Sequence, residues 1–401
     1  MRDIILFLSL FCLLSGVIAG NRKSRITSVP FEVAGSYVVV KAKVNNSSPL
    51  NFILDSGLST TLITHLSKED SLWLNNSERT VLKGLGVGNE ISALTSNNNI
   101  LQTGRMKFVH QTAYFLEEDV FNLSEYTGMK INGLLGSDFF QDLVVKIDYN
   151  SKRITFYESS SYEVPKGYIP IPLTFNEDKM YAMVKVTDAS GKLYDVRMLI
   201  DTGAELGAWF KTFGEKKVAI PEKKIRGYIG QGLNGEINGY IARIPKIQIG
   251  NYAVHNVIVS FPDSACISDA IPGSKRDGTL GSQVLNHFNL ILDEPNEVLY
   301  IKPNANYKKK FYYNIAGIEV IQQYSSLNLP EVFHVWEESP AEIAGILAGD
   351  LIISINGNSS FGVNIGTIRH ELETRSRRPL KLQVLRGKKT LSFTLEMIDT
   401  L

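Results

Sequence analysis

The chain has 401 residues, enough for two or three domains. Its 44% hydrophobic and 21% charged content is that of a folded globular protein, which excludes a largely disordered chain. With 42 basic against 41 acidic residues the net charge is +1, so nothing draws it to nucleic acid or to an anionic membrane surface, and neither partner is expected.

The first twenty residues carry Arg2 near the start, run apolar from Ile4 to Leu14, and end in small residues at Ala19 and Gly20. That is the layout of a secretory signal peptide cut after Val17-Ile18-Ala19. The uncharged stretch Ile4–Ala19 counts 16 residues, short of the ~20 a spanning helix needs, so no membrane span is expected after its removal. An exported chain, periplasmic or secreted, follows. Loss of the leader removes Cys12 and leaves Cys266 alone, so stability must come from packing without an internal disulfide.

From about residue 28 to 160 the pattern is β-rich, with Val38-Val39-Val40 and Met106-Lys107-Phe108-Val109 as strand segments and Asn45-Asn46-Ser47-Ser48-Pro49 as a turn. Within this unit NFILDSGLSTTLI, residues 51–63, carries Asp55 on an apolar strand straight into Ser56-Gly57. Taken singly, Asp-Ser-Gly is ordinary turn chemistry. A second unit, about 165 to 303, repeats it: VRMLIDTGAEL, residues 196–206, delivers Asp201 into Thr202-Gly203, 146 residues further on. INGLLGSDFF (131–140) recurs as DGTLGSQVL (277–285), and KIDYNSKRITFY (146–157) as LILDEPNEVLYI (290–301), with Gly136 and Gly281, and Asp148 and Asp293, each 145 residues apart. Upstream, YVVVKAKV (37–44) matches YAMVKVTD (181–188). Nearly constant spacing over four features marks an internal duplication. Short helices are expected at Ser137 to Leu143 and Ser282 to His287.

Two duplicated lobes packed about a pseudo-twofold axis would bring Asp55 and Asp201 together. Carboxylates that close share one proton over a wide pH range and titrate as a unit. The ionised member then activates a water as general base while the protonated one donates to a carbonyl oxygen. Neither a cofactor nor a metal is needed, and the six histidines show no metal-ligand spacing.

On these residues each lobe resembles a retroviral-type aspartic protease subunit, and the pair resembles the bilobal, pepsin-like arrangement in one chain. The matching pieces are Asp55-Ser56-Gly57, Asp201-Thr202-Gly203, Leu134-Leu135-Gly136 and Thr279-Leu280-Gly281. The resemblance implies a mainly β fold of two acid-protease-like barrels, catalytic Asp55 and Asp201, and Ser56 and Thr202 locking the two turns. Thr61 stands where a supporting hydroxyl is expected; its counterpart is Gly207. Leu58 replaces a small residue and is expected to crowd the floor of the site. Ala204, without a hydroxyl, withdraws a hydrogen bond from ionised aspartate and favours activity at less acidic pH. Because one chain supplies both aspartates, a monomer is expected.

The resemblance also implies mobile hairpin flaps over a peptide cleft. VLKGLGVGNEISAL (81–94), with Gly84, Gly86 and Gly88, fits the first lobe, and RGYIGQGLNGEINGY (226–240), with Tyr228 and Gly230, fits the second. The latter formally holds a Gly-x-Gly-x-x-Gly fingerprint, but strand, not helix, follows it, which excludes a dinucleotide site.

Residues 304–312 read as a polar, basic linker, and the pattern changes over 313–401. Ser339-Pro340-Ala341-Glu342 is a helix start with a capping box, Leu351–Ile355 a strand closed by Asn356-Gly357, and Ile365, Ile368 and Leu372 one face of a second helix. The segment 380–396 is a hairpin. This part resembles an α+β PDZ domain of the kind attached to bacterial exported proteases, which implies binding of peptide C-termini by strand addition. Gly317 and Ile318 are the candidate carboxylate loop. The whole is expected to be an exported aspartic endopeptidase whose PDZ domain recruits or regulates peptide substrates. The alternative is a non-catalytic peptide-binding protein with a degenerate dyad.

Overall fold

The computed structural model describes residues 25–214, 217–267, 275–322, 329–373 and 378–401. The predicted leader lies outside them. Lobe 1 contains β1 (Arg25–Ala34), β2 (Tyr37–Val44), β3 (Leu50–Leu54), β4 (Thr61–Ile63), β5 (Ser77–Leu82), β6 (Ile91–Thr103), β7 (Met106–Leu116), α1 (Leu123–Thr127), β8 (Gly133–Leu135), β9 (Leu143–Asp148) and β10 (Arg153–Glu158). Lobe 2 contains β11 (Ile169–Asn176), β12 (Lys179–Thr187), β13 (Leu193–Ile200), β14 (Ala208–Phe210), β15 (Lys224–Gly232), β16 (Gly235–Ile249), β17 (Tyr252–Pro262), α2 (Ser264–Ile267), β18 (Gly278–Leu280), α3 (Ser282–Leu285), β19 (Phe288–Asp293) and β20 (Val298–Pro303).

The duplication read from the sequence is a duplication of topology. In lobe 1, β3 runs parallel to β8, while β4 pairs antiparallel with β8 and parallel with β7. In lobe 2, β13 runs parallel to β18, while β14 pairs antiparallel with β18 and parallel with β17. Both aspartate-bearing strands are buried runs, Phe52-Ile53-Leu54 and Met198-Leu199-Ile200. Near-continuous apolar sequence is what a strand covered on both faces requires.

The lobes join through one antiparallel sheet in the order β1-β10-β9-β19-β20-β11. Its middle is the β9–β19 pair, where Ile147 faces Leu290 and Val145 faces Leu292. All four side chains are buried in a core shared by both lobes.

The predicted helices are shorter than expected. Ser137–Phe140 is a single 3-10 turn and α3 ends at Leu285. Strands β9, from Leu143-Val144-Val145, and β19, from Phe288-Asn289-Leu290, claim the following residues for the interlobe sheet. Residues 304–312 are not a free linker: Tyr307 Oη donates to the Ala253 carbonyl at 2.9 Å, and Phe311 is buried with its ring stacked on His287 at 4.7 Å.

The C-terminal domain holds β21 (Ile318–Gln322), β22 (Pro330–Val335), α4 (Pro340–Ala344), β23 (Leu351–Ile355), β24 (Asn358–Ser359), α5 (Ile365–Glu373), β25 (Leu380–Arg386) and β26 (Lys389–Leu395). Ser339 Oγ accepts from Glu342 N at 3.2 Å with proline at the first helical position, as read from the sequence. The Glu342 carboxylate caps Glu338 N at 2.6 Å, one residue earlier than a capping box places it. Ile365, Ile368 and Leu372 are the buried face of α5. Among the described residues no helix is long and apolar enough to cross a membrane.

Leu290 is fully buried at the seam between lobes. Leu290→Ala should lower the unfolding free energy by about 2–5 kcal/mol in a denaturant titration. A loss under about 1 kcal/mol would mean that the seam is not a packed core.

Candidate active site

Each aspartate leaves its strand with its backbone N–H bonded to the neighbouring strand: Asp55 N to Leu135 O at 2.8 Å, Asp201 N to Leu280 O at 3.0 Å. Each carboxylate then accepts from the glycine two residues on, Gly57 N at 2.9 Å and Gly203 N at 3.0 Å. The turns face each other across the lobe boundary. A side chain at Gly57 would overlap the Asp201 carboxylate, and one at Gly203 would overlap that of Asp55. Only glycine permits this reciprocal approach, which brings the two acids together as the duplication requires.

The hydroxyls between them are crossed. Ser56 Oγ donates to Ile200 O at 2.7 Å and accepts from Thr202 N at 3.1 Å. Thr202 Oγ1 donates to Leu54 O at 2.7 Å and accepts from Ser56 N at 3.1 Å. Both residues are buried. Each lobe thus supplies the hydrogen-bond partners that the other's turn lacks.

Leu134-Leu135-Gly136 and Thr279-Leu280-Gly281 run beneath the turns. Ser137 N donates to Leu58 O at 2.7 Å, and Ser282 N to Ala204 O at 2.8 Å. The buried Thr61 hydroxyl makes no hydrogen bond to Asp55, while its backbone N–H bonds Asp138 Oδ2 at 3.2 Å. Gly207 has no hydroxyl to offer Asp201; Gly207 O accepts Gly281 N at 3.0 Å and Ser282 Oγ donates to Ala204 O at 2.8 Å. Leu58, expected to crowd the floor, packs into the lobe 1 cluster of Ile53, Leu62 and Leu134.

Burial pushes the Asp55 carboxyl well above its ordinary value, and the neighbouring Asp201 charge adds to this. Burial raises Asp201 too, but the buried Arg276 guanidinium and the hydrogen bond from Asp55 pull the other way. The two therefore titrate as one unit, with Asp55 the member whose proton affinity is raised more. Nothing in the sequence singled out Arg276.

The two predicted hairpins form, β5–β6 and β15–β16, and their tips interlock. Asn234 Nδ2 donates to Asn89 O at 2.6 Å, its Oδ1 accepts from Gly84 N, and its own N–H donates to Leu85 O at 2.8 Å. Gly86 N reaches Cys266 O at 2.9 Å. Gly84, Gly86 and Gly88, read as sources of mobility, lie where a side chain would strike Leu233, Gly235 and Asn234. They are small because the other tip presses on them. Leu233 joins the apolar cluster of Leu58, and Leu85 that of Leu206, so the paired tips span from the Asp55 turn to the Asp201 turn.

Gly230 sits at a bulge in β15. Tyr228, expected to line the cleft, packs its ring edge-on to Phe333 at 6.2 Å, in the C-terminal domain. The proposed carboxylate loop is closed as well: Gly317 N and Ile318 N both donate to Asn314 Oδ1, at 3.0 and 3.2 Å, so neither is free for a peptide terminus. Among the described residues no cluster of His, Cys, Asp and Glu is placed to hold a metal ion.

A family model described as aspartyl protease matches residues 40–139 and 182–284, one segment per lobe, and a PDZ domain model matches residues 335–386. No curated protein matches the chain. Among solved structures it is similar to the aspartic proteinase from Irpex lacteus, at 15% identity and a TM-score of 0.43, covering 71% of this chain and 98% of that one.

Two predictions follow from this geometry. A carboxyl whose folded pKa exceeds its unfolded value near 3.8 holds a proton in the folded chain that the unfolded chain has released. Its contribution is most favourable below that pH and declines as pH rises through the dyad's own titration. Asp55→Asn should therefore gain stability over wild type as pH rises from about 4 to 7, measured by paired denaturant titrations; a gap that narrows or reverses contradicts the assignment. Asn234→Ala should weaken the tip latch by about 1–3 kcal/mol. Faster amide exchange over residues 83–90 and 232–236 would report it, and unchanged protection there would contradict it.

Proposed function

The chain belongs to the aspartyl protease family, and we propose that it is an exported aspartic endopeptidase that hydrolyses peptide bonds with a water held between Asp55 and Asp201. What carries this is the reciprocal fit of Gly57 against Asp201 and of Gly203 against Asp55, which sets the two acids face to face. Asp201, with Arg276 behind it, serves as the base and takes a proton from the water as the hydroxyl oxygen bonds to the peptide carbonyl carbon. Asp55 passes its proton to the carbonyl oxygen, giving a neutral gem-diol. Collapse of that intermediate returns a hydroxyl proton to the dyad, transfers a proton to the amide nitrogen and breaks the C–N bond. The products are a new carboxyl and a new amine.

Both aspartates lie in one chain, so a monomer is sufficient for activity. The latched tips of β5–β6 and β15–β16 must part for a chain to enter, which favours extended or unfolded peptide segments over folded protein. Export rests on the leader pattern of residues 1–19. The PDZ domain brings peptide-binding architecture beside the lobes and acts as a regulator of access.

Incubation with an unfolded protein or a peptide library tests this directly. Wild type should cleave, and Asp55→Asn and Asp201→Asn should each lose about 10²–10⁴-fold or more while remaining folded. No cleavage by wild type from pH 3 to 8 would instead make the lobes a peptide-binding scaffold.

A further inference from the structure

A PDZ domain takes an extended peptide along an exposed sheet edge. In this chain the edge strand is β21, and α5 packs beside it. That groove is not open. Helix α1 of lobe 1 packs against both of its walls, β21 and α5. At the end of α1, Gly128 lies so near that a side chain there would meet Ile365 of α5 at 2.9 Å and Gln322 of β21 at 3.2 Å. Arg369 bridges what remains: its Nη2 donates to Val320 O of β21 at 3.0 Å, and its guanidinium sits 3.6 Å above the ring of Tyr126 in α1. A cation on an aromatic face at that distance is an attractive contact, strengthened by burial.

The same junction reaches lobe 2. Glu205, four residues beyond Asp201, accepts from Ser36 N of lobe 1 at 2.6 Å, and its charge faces Arg369. On the other side, β15 of the second hairpin lies on β22: the Trp336 indole covers Gly227, leaving no room for a side chain, and Tyr228 packs on Phe333. A cavity of about 120 Å³ lies between Glu205, Tyr228, Arg369 and Trp336. One face of the PDZ domain therefore grips lobe 1 and the second hairpin at once.

We propose that the peptide groove of the PDZ domain is occupied in cis by the lobe 1 segment Phe121–Gly128, and that the domain is a clamp tying lobe 1 to the second hairpin. A peptide binds along β21 only when α1 leaves. Departure of α1 loosens β15 as well, since both are held by the same face. This goes beyond the proteolytic reading and needs no activity from Asp55 or Asp201.

Hydrogen exchange on the full chain tests it without reference to cleavage. Arg369→Met removes the bridge to Val320 and the cation on Tyr126, and Gly128→Gln pushes α1 off its seat. In each variant, amides of 121–129, 318–322 and 224–232 should exchange about tenfold faster or more, with β3 and β13 unchanged. If Gly128→Gln fails to fold, Arg369→Met and Tyr126→Leu carry the test. Acceleration confined to the substituted segment would overturn the clamp. In parallel, a fluorescent decapeptide library should show no saturable binding to wild type and a gain of about tenfold or more in the variants. Saturable binding to wild type with 121–129 still protected would show an open groove and overturn cis occupancy.

Discussion

The arrangement depends on one exchange of hydrogen bonds. Ser56 and Thr202 each donate to the main-chain carbonyl just before the other's aspartate turn, and each accepts the other's backbone N–H. Buried polar backbone needs partners, and here neither lobe has them alone. The crossed pairs convert two ordinary Asp-hydroxyl-Gly turns into one rigid unit. Two carboxyls are thereby kept close enough that the Asp201 charge raises the proton affinity of Asp55, a state that two independently mobile turns would relax by moving apart. The six-stranded sheet through β9 and β19 backs this unit by fixing the lobes at the distance the exchange requires.

Much of this was legible in the sequence because duplication leaves a long-range signal. Asp55 and Asp201, the apolar strands before them and the Leu-Gly elements beneath them recur at nearly constant spacing, so the fold and the pair of acids could be read together. The strand and helix faces of the C-terminal domain, Ile365, Ile368 and Leu372 among them, were legible from periodicity alone. What was not legible depends on residues distant in sequence that meet by packing. Arg276, whose charge acts on Asp201, and Asn314 filling its own loop carry no local pattern. The glycines at 84, 86 and 88 were found, but their reason was inverted. Sequence reports that a side chain is absent; only the fold shows that another hairpin occupies its place.

Access to the acids is controlled by contacts of two kinds. At the tips, Asn234 satisfies groups on both hairpins, so opening must break several hydrogen bonds together. Along the outer strand of the second hairpin, Gly227 and Tyr228 rest against Trp336 and Phe333 of the PDZ domain. The tip latch and the domain clamp hold the same β15–β16 hairpin at opposite ends. Packed side chains thus run continuously from the C-terminal domain through the second hairpin toward the cleft.

The most direct measurement of the central claim is a crystal structure of the chain with a peptide analogue whose scissile bond is replaced by a hydroxyl-bearing tetrahedral carbon. The account predicts that this hydroxyl lies within hydrogen-bonding distance of both Asp55 and Asp201, with the crossed Ser56 and Thr202 bonds intact beneath. A complex in which the hydroxyl meets only one carboxylate, or in which the two acids are separated by their own lobes' side chains, would contradict it.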